Sequence, residues 1–126
     1  MKLRMQSNSI RLRLKQREVD QLAGTGRLEE SVSFGEGEDG FRYVLEASSL
    51  ATKVRARLKA QGIFVEVPAE EVARWASGND VGIEFFQGTD GSDELQILIE
   101  KDFACLNGTD EQNADTFPNP LAGTKC

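Results

Sequence analysis

Ile10-Arg11-Leu12-Arg13-Leu14-Lys15-Gln16-Arg17-Glu18-Val19-Asp20-Gln21-Leu22-Ala23-Gly24 contains two periodicities, and the change from one to the other decides the fold class. Ile10, Leu12 and Leu14 alternate with charged residues, the period of a strand with one buried face. Val19, Leu22 and Ala23 then recur at helical spacing, and Gly24 or Gly26 can take the left-handed conformation that ends a helix. Lys15 stands where a capping Ser or Thr would be preferred, so the start of this helix reads as soft. The stretch is a strand followed by a short helix.

The same unit recurs at Ile63 to Gly78, at a constant offset of 53 residues. Apolar residues fall on apolar residues along the offset, as core positions would after a duplication. Met5 falls on Leu58, Ile10 on Ile63, Leu12 on Val65, Leu14 on Val67, Val19 on Val72, Leu22 on Trp75 and Val32 on Phe85. Any two strand-helix-strand units share some of this pattern, but here the offset survives two loops without a gap. The polar faces differ, since Arg11 and Arg13 fall on Phe64 and Glu66.

Upstream, Lys2 to Gln6 alternates in the same way and joins Ile10 to Leu14 through the turn Ser7-Asn8-Ser9. Leu3, Met5, Ile10, Leu12 and Leu14 are then expected to face a core, with Lys2, Arg4, Arg11 and Arg13 on the other side. Downstream, Leu28 to Phe34 and Phe41 to Ala47 read as strands about the loop Gly35-Glu36-Gly37-Glu38-Asp39-Gly40. That loop matches G-x-G-x-x-G, yet a strand follows it and three carboxylates lie inside it, so it is a hairpin rather than a dinucleotide site. Ser48 to Gln61 supports two readings. Leu50, Val54 and Leu58 have helical spacing, whereas Lys53, Arg55, Arg57 and Lys59 alternate with Val54, Ala56 and Leu58, and this alternation of charge over seven residues favours a strand. Ile63 to Val67 is a strand, Pro68 opens a second helix carrying Val72 and Trp75, and Asp80 to Phe86 and Glu94 to Lys101 form a last hairpin over Thr89-Asp90-Gly91-Ser92.

The expected fold is therefore α+β, with about eight mostly antiparallel strands in a strongly curved sheet or barrel and two short helices, built as a duplicated β-β-α-β-β unit. Residues 1–126 are expected to form one domain, with the repeat at about 1–51 and 52–102 and an irregular tail, 103–126, packed on it. Phe103, Leu106, Phe117 and Leu121 are spaced to tack that tail along a groove.

Charges in Met1-Lys2-Leu3-Arg4 occupy the place of a signal peptide's apolar run, and no stretch approaches a membrane span, so a soluble cytoplasmic protein is expected. Cys105 and Cys126 read as free thiols in such a compartment, with a bridge within the tail as the lesser reading. The net charge of −6 argues against nucleic acid as a partner. The charge is strongly segregated, because residues 1–17 carry six basic residues and no acidic one, and Lys53 to Lys59 adds four more.

The absence of histidine removes Ser-His and Cys-His nucleophile pairs, histidine bases and most zinc sites. Glu29, Glu46, Glu66, Glu84 and Glu100 are strand residues that no spacing brings into a catalytic pair, and Cys105 lies among acidic residues that give no support to a thiolate. Asp110, Glu111 and Asp115 lack the loop glycine and closing glutamate of a calcium loop. Neither a catalytic residue, a metal site nor a cofactor is expected.

Glu100-Lys101-Asp102-Phe103-Ala104-Cys105-Leu106, followed by Asn113-Ala114-Asp115-Thr116-Phe117-Pro118-Asn119-Pro120, resembles a family of small uncharacterised bacterial proteins, as does Asn8-Ser9-Ile10-Arg11-Leu12-Arg13-Leu14. The resemblance implies that Cys105 and the Asp115 to Pro120 segment belong to the domain. Counted from the second strand, the order of elements is also similar to the triphosphate tunnel enzymes, whose barrels are duplicated β-α-β-β-β units. Those enzymes carry a metal-binding E-x-E-x-K strand, whereas Arg11-Leu12-Arg13-Leu14-Lys15 has the same alternation with opposite charge, so metal-dependent phosphohydrolysis is not implied.

Two functions of different class follow, with a metal-dependent, phosphohydrolase-like enzyme using the tail carboxylates as a distant third. In the first, the basic residues lie on an exposed sheet face paired with Glu29, Glu46, Glu66 and Glu84, and the chain is a non-catalytic interaction or scaffolding domain for a protein partner. In the second, Lys2, Arg4, Arg11, Arg13, Arg55 and Arg57 converge in a groove or tunnel and bind a phosphorylated or polycarboxylate small molecule.

Overall fold

The computed structural model describes residues 1–35, 40–88, 91, 93–103 and 115–118. The chain runs β1 (Lys2–Gln6), β2 (Ser9–Leu14), α1 (Gln16–Thr25), β3 (Arg27–Ser33), β4 (Gly40–Ser48), β5 (Arg55–Lys59), β6 (Gly62–Pro68), α2 (Ala69–Ser77), β7 (Gly82–Gly88) and β8 (Glu94–Lys101). Within the segment that offered both a helix and a strand, Arg55–Lys59 is the strand β5 and no helix forms.

Alternation explains each strand's buried face. Ile10, Leu12 and Leu14 on β2, Leu28 and Leu45 on β3 and β4, Ile63, Val65 and Val67 on β6, and Ile97 and Ile99 on β8 enter one core cluster. Val19 and Leu22 of α1 and Val72 and Trp75 of α2 join it, so the helical stripes close over what the strands leave open. The two helices pack on each other, α1 also on β2, β3 and β4, and α2 on β4, β6 and β7. Met5, expected to face the core, is 60% exposed because it lies near the open end of edge strand β1.

The start of α1 is firmer than its lack of a capping hydroxyl suggests. The carboxylate of Glu18 accepts the Lys15 N–H at 2.9 Å, half of a capping box. At its other end Gly26, with φ 81°, returns its N–H to Leu22 O at 2.9 Å. Gly24, the other candidate for the cap, lies inside the helix.

The expectation of one curved sheet or barrel is corrected. The strands form two mixed four-stranded sheets, β1-β2-β8-β7 and β3-β4-β6-β5, and each has a parallel pair at its centre, β2 with β8 and β4 with β6. Antiparallel hairpins flank each pair, so most pairings are antiparallel as expected. Each helix carries the chain out of one sheet and into the other. Among the described residues no ladder joins β7 to β5 or β1 to β3, which leaves two seams instead of closure.

Side chains bridge both seams. Gln87 of β7 uses its amide as a strand would: its Oε1 accepts the Ala56 N–H at 2.8 Å and its Nε2 donates to Ala56 O at 3.0 Å. Because these backbone groups of β5 are already satisfied, β7 does not pair there. At the other seam the Met1 ammonium meets Glu18 and, at 3.2 Å, Glu30, while the Tyr43 hydroxyl donates to Met1 O at 2.9 Å. Among the described residues, no helix is long and apolar enough to cross a membrane.

Two parts of the tail are described. Phe117 donates its N–H to Asp102 O at 2.8 Å and sets its ring against Phe103, with centroids 6.1 Å apart. Asp115 accepts the Gln16 N–H through its carbonyl at 3.0 Å, and its carboxylate stands 3.4 Å from Arg17. The expectations for Cys105, Cys126, Leu106, Leu121, Asp110 and Glu111 lie outside the described residues.

Candidate functional site

Strand register determines where the six basic residues go. Residues paired across neighbouring strands share a face, and the next residue along each strand shares the other. On the first sheet, Lys2 pairs with Arg13 and Arg13 with Glu100, while Arg4 pairs with Arg11 and Arg11 with Leu98. The intervening residues Leu3, Leu12 and Ile99 pack on the core. Lys2, Arg4, Arg11 and Arg13 therefore share the face turned away from the core. Arg55 and Arg57 occupy the corresponding face of the second sheet, opposite Glu66 and Phe64. The six do not converge in one groove or tunnel, because β2 and β5 belong to different sheets and both turn their apolar residues inward. This corrects the geometric premise of the expected six-residue site.

On the first sheet, Arg11 and Arg13 share one carboxylate oxygen of Glu100, Nε to Oε1, at 3.2 and 2.8 Å. Lys2 Nζ stands 3.0 Å from Asp102 Oδ2, an ionic contact without the angle of a directed hydrogen bond, since that buried oxygen has no hydrogen-bond partner among the described residues. Arg4 donates to Gln6 Oε1 at 3.0 Å and, among the described residues, has no carboxylate within ion-pair reach. Glu84 accepts from Gln96 at 2.7 Å instead of pairing with a cation. Arg4, Gln6, Ser9, Arg11 and Gln96 surround a concavity of about 170 Å³ on this face.

On the second sheet, two arginines missed by the sequence reading join the face. Arg27 holds Glu29 at 3.1 Å and Glu46 at 3.3 Å, and Arg42 reaches Glu29 at 3.5 Å. The ring of Phe64 lies beneath two cations, with Lys59 Nζ 4.8 Å and Arg42 Cζ 5.5 Å from its centroid. Arg55 and Arg57 have no carboxylate partner among the described residues, although Glu66 is the cross-strand neighbour of Arg55. Arg27, Glu46, Arg55, Arg57, Phe64 and Glu66 line a shallow concavity of about 230 Å³. The expected partners Glu29 and Glu46 are thus taken by Arg27 and Arg42, and the first sheet uses Glu100 and Asp102 in place of Glu84. Basic residues on β5 also guard an open sheet edge, since a charged edge strand resists pairing with another chain.

Sequence reasoning also missed two polar residues that face inward. Gln87 follows Ile83 and Phe85 in the inward register of β7, and Lys101 follows Ile97 and Ile99 in that of β8. A polar residue breaking an apolar alternation is the signal that could have found them. Lys101, 7% exposed, donates to Gly78 O at 3.0 Å and lies 5.9 Å from the Trp75 ring centroid and 5.5 Å from that of Phe117. Burial, and then the carboxylates of Glu30 and Glu18, push the Tyr43 hydroxyl above its ordinary value of 10.0.

No group of three or more Cys, Asp or Glu side chains is placed to hold a metal among the described residues. The chemistry these faces offer is ionic and π recognition on a sheet surface. No curated protein and no solved structure matches the chain. The model of a family of unknown function, DUF7009, matches residues 1–121, in keeping with the resemblance of the tail and opening strands, and the chain belongs to that family.

Proposed function

We propose that the chain is a non-catalytic interaction module that docks an acidic protein segment on the outer face of the second sheet. The observation that carries this reading is the state of Arg55 and Arg57. Their neighbours Arg27 and Arg42 are tied to carboxylates, whereas these two have none among the described residues and flank an aromatic ring. Unpaired guanidinium groups beside the Phe64 ring, over which Lys59 adds a further positive charge, suit a segment rich in acidic side chains, because arginine meets a carboxylate with two parallel bonds. The complementarity is local, since the chain as a whole carries −6.

A duplicated β-β-α-β-β unit accounts for the scaffold in the same reading. The pairs Lys2 with Arg13 through Gln6 with Ser9 map onto Arg55 with Glu66 through Lys59 with Gly62 at the offset of 53. Each sheet then combines the first hairpin of one unit with the second hairpin of the other. The two units keep equivalent core positions and diverge on their outer faces, where recognition would differ.

The test is fluorescence anisotropy with a labelled peptide of alternating Glu and Leu, at low and at physiological salt. Wild-type protein should bind it with an affinity that falls as salt rises, and the Arg55→Glu, Arg57→Glu double variant should not bind. Equal binding by the two proteins would remove this face from consideration. A concentration-dependent dimer in size-exclusion chromatography, abolished by the same substitutions, would assign the face to self-association and overturn the proposal.

A further inference from the structure

The outer face of the first sheet contains an arrangement that packing alone does not account for. Lys2 stands directly opposite Arg13, and Arg4 directly opposite Arg11, so two successive cross-strand pairs set like charges against each other. Side chains directly opposite on an antiparallel pair are close neighbours, and like charges there oppose pairing. At the corresponding positions of the second sheet, Arg55 faces Glu66 and Arg57 faces Phe64, an arrangement without that repulsion.

Among the described residues, three of the four cations have an anionic partner and one does not. Lys2 has Asp102, and Arg11 and Arg13 divide Glu100 between them. Arg4 has only the neutral amide oxygen of Gln6. Arg11 contacts Glu100 through Nε, which leaves its terminal nitrogens as donors. Between Arg4 and Arg11 lies the concavity of about 170 Å³, lined further by the polar Gln6, Ser9 and Gln96 and by the apolar Ile10 and Leu98. Of the further carboxylates near this face, Glu84 is held by Gln96 and sits two strands from Arg11, about 10 Å away, and Asp93 and Glu94 line the adjoining concavity beyond Ser9 and Gln96.

We infer that Arg4 and Arg11 form a binding site for a small phosphorylated molecule, whose phosphoryl oxygens bridge the two guanidinium groups. A phosphoryl group fits this pair better than a lone carboxylate. It offers three oxygens and close to two negative charges, enough to serve two facing arginines at once and to relieve their repulsion. The site is independent of the acidic-segment face, which lies on the other sheet.

Isothermal titration at low ionic strength tests the assignment, with pyrophosphate, inorganic sulfate and citrate as probes. Pyrophosphate should bind with a one-to-one stoichiometry, and citrate and sulfate at least about tenfold more weakly. Arg4→Gln should weaken pyrophosphate binding by about tenfold or more, Arg4→Lys should fall between it and wild type, and Arg74→Gln on the exposed side of α2 should leave it unchanged. Circular dichroism of the Arg4 variants establishes that they are folded. The inference is overturned if pyrophosphate does not bind into the millimolar range, if Arg4→Gln binds it as wild type does, or if Arg74→Gln weakens it equally. Equal affinity for citrate would overturn the phosphoryl assignment.

Discussion

Replacing Gly62 with alanine tests the central pairing of the second sheet. Gly62 opens β6 and pairs with Arg42 of β4, the parallel partner at the centre of that sheet. A Cβ at Gly62 would stand 1.9 Å from the Arg42 carbonyl oxygen and 2.9 Å from its carbonyl carbon. Those are backbone atoms, which cannot swing aside as a side-chain end could. Reaching even the 3.0 Å below which real Cβ contacts essentially never fall requires β4 and β6 to part by about 1 Å. Such a separation lengthens the ladder bonds beside the Arg42 N–H to Gln61 O bond, now 2.9 Å. The expected cost is about 3 kcal/mol, the upper range for overpacking, and a fall in Tm on the order of 10 °C. Gly24→Ala is the matched control of opposite sign. Gly24 lies within α1 with no atom within 4 Å of an added Cβ, so alanine should stabilise by about 0.5–1 kcal/mol. Urea unfolding followed by far-ultraviolet circular dichroism measures both. A Gly62→Ala protein as stable as wild type, or a Gly24→Ala protein as damaged as Gly62→Ala, would refute the close approach of β4 and β6 at this point.

Gln87→Ala should leave the Ala56 N–H and carbonyl without their partner, cost about 1–3 kcal/mol and speed hydrogen exchange at the Ala56 amide; unchanged exchange there would mean that the amide does not bridge the seam. Trp75→Ala should cost about 3–5 kcal/mol in chemical denaturation, because the indole is buried and donates to Val81 O, and a loss well below that would place the ring outside the core. Tyr43 is the chain's one tyrosine, so absorbance reports its ionisation without overlap from another phenol. The midpoint should lie above 10.0, and Glu30→Gln should move it down. Since the folded-state value is the raised one, the associated stability is fully present below pH 10 and is lost as pH rises through the folded value. A midpoint at or below 10 in the folded protein would contradict the burial of that hydroxyl beside two carboxylates.

The sequence by itself determined the elements, because their causes are local. Period-two alternation at Ile10, Leu12 and Leu14 and helical spacing at Val19 and Leu22 each depend on neighbours a few residues away, and both survive as β2 and α1. Alternation likewise decided that Arg11, Arg13, Arg55 and Arg57 would leave the core, since their apolar neighbours had to enter it. Only the tertiary structure decided which strands lie side by side. β2 lies against β8, with Ile10 beside Ile97, and a parallel partner so distant in sequence leaves no trace in local periodicity. That pairing separates the four basic residues of β1 and β2 from those of β5, so one expected site became two faces. It also brings Glu100 to Arg11 and Arg13 while leaving Arg4 with Gln6. Charge alternation is written in the chain, but whether a charge finds a partner depends on the register of strands that meet only after folding.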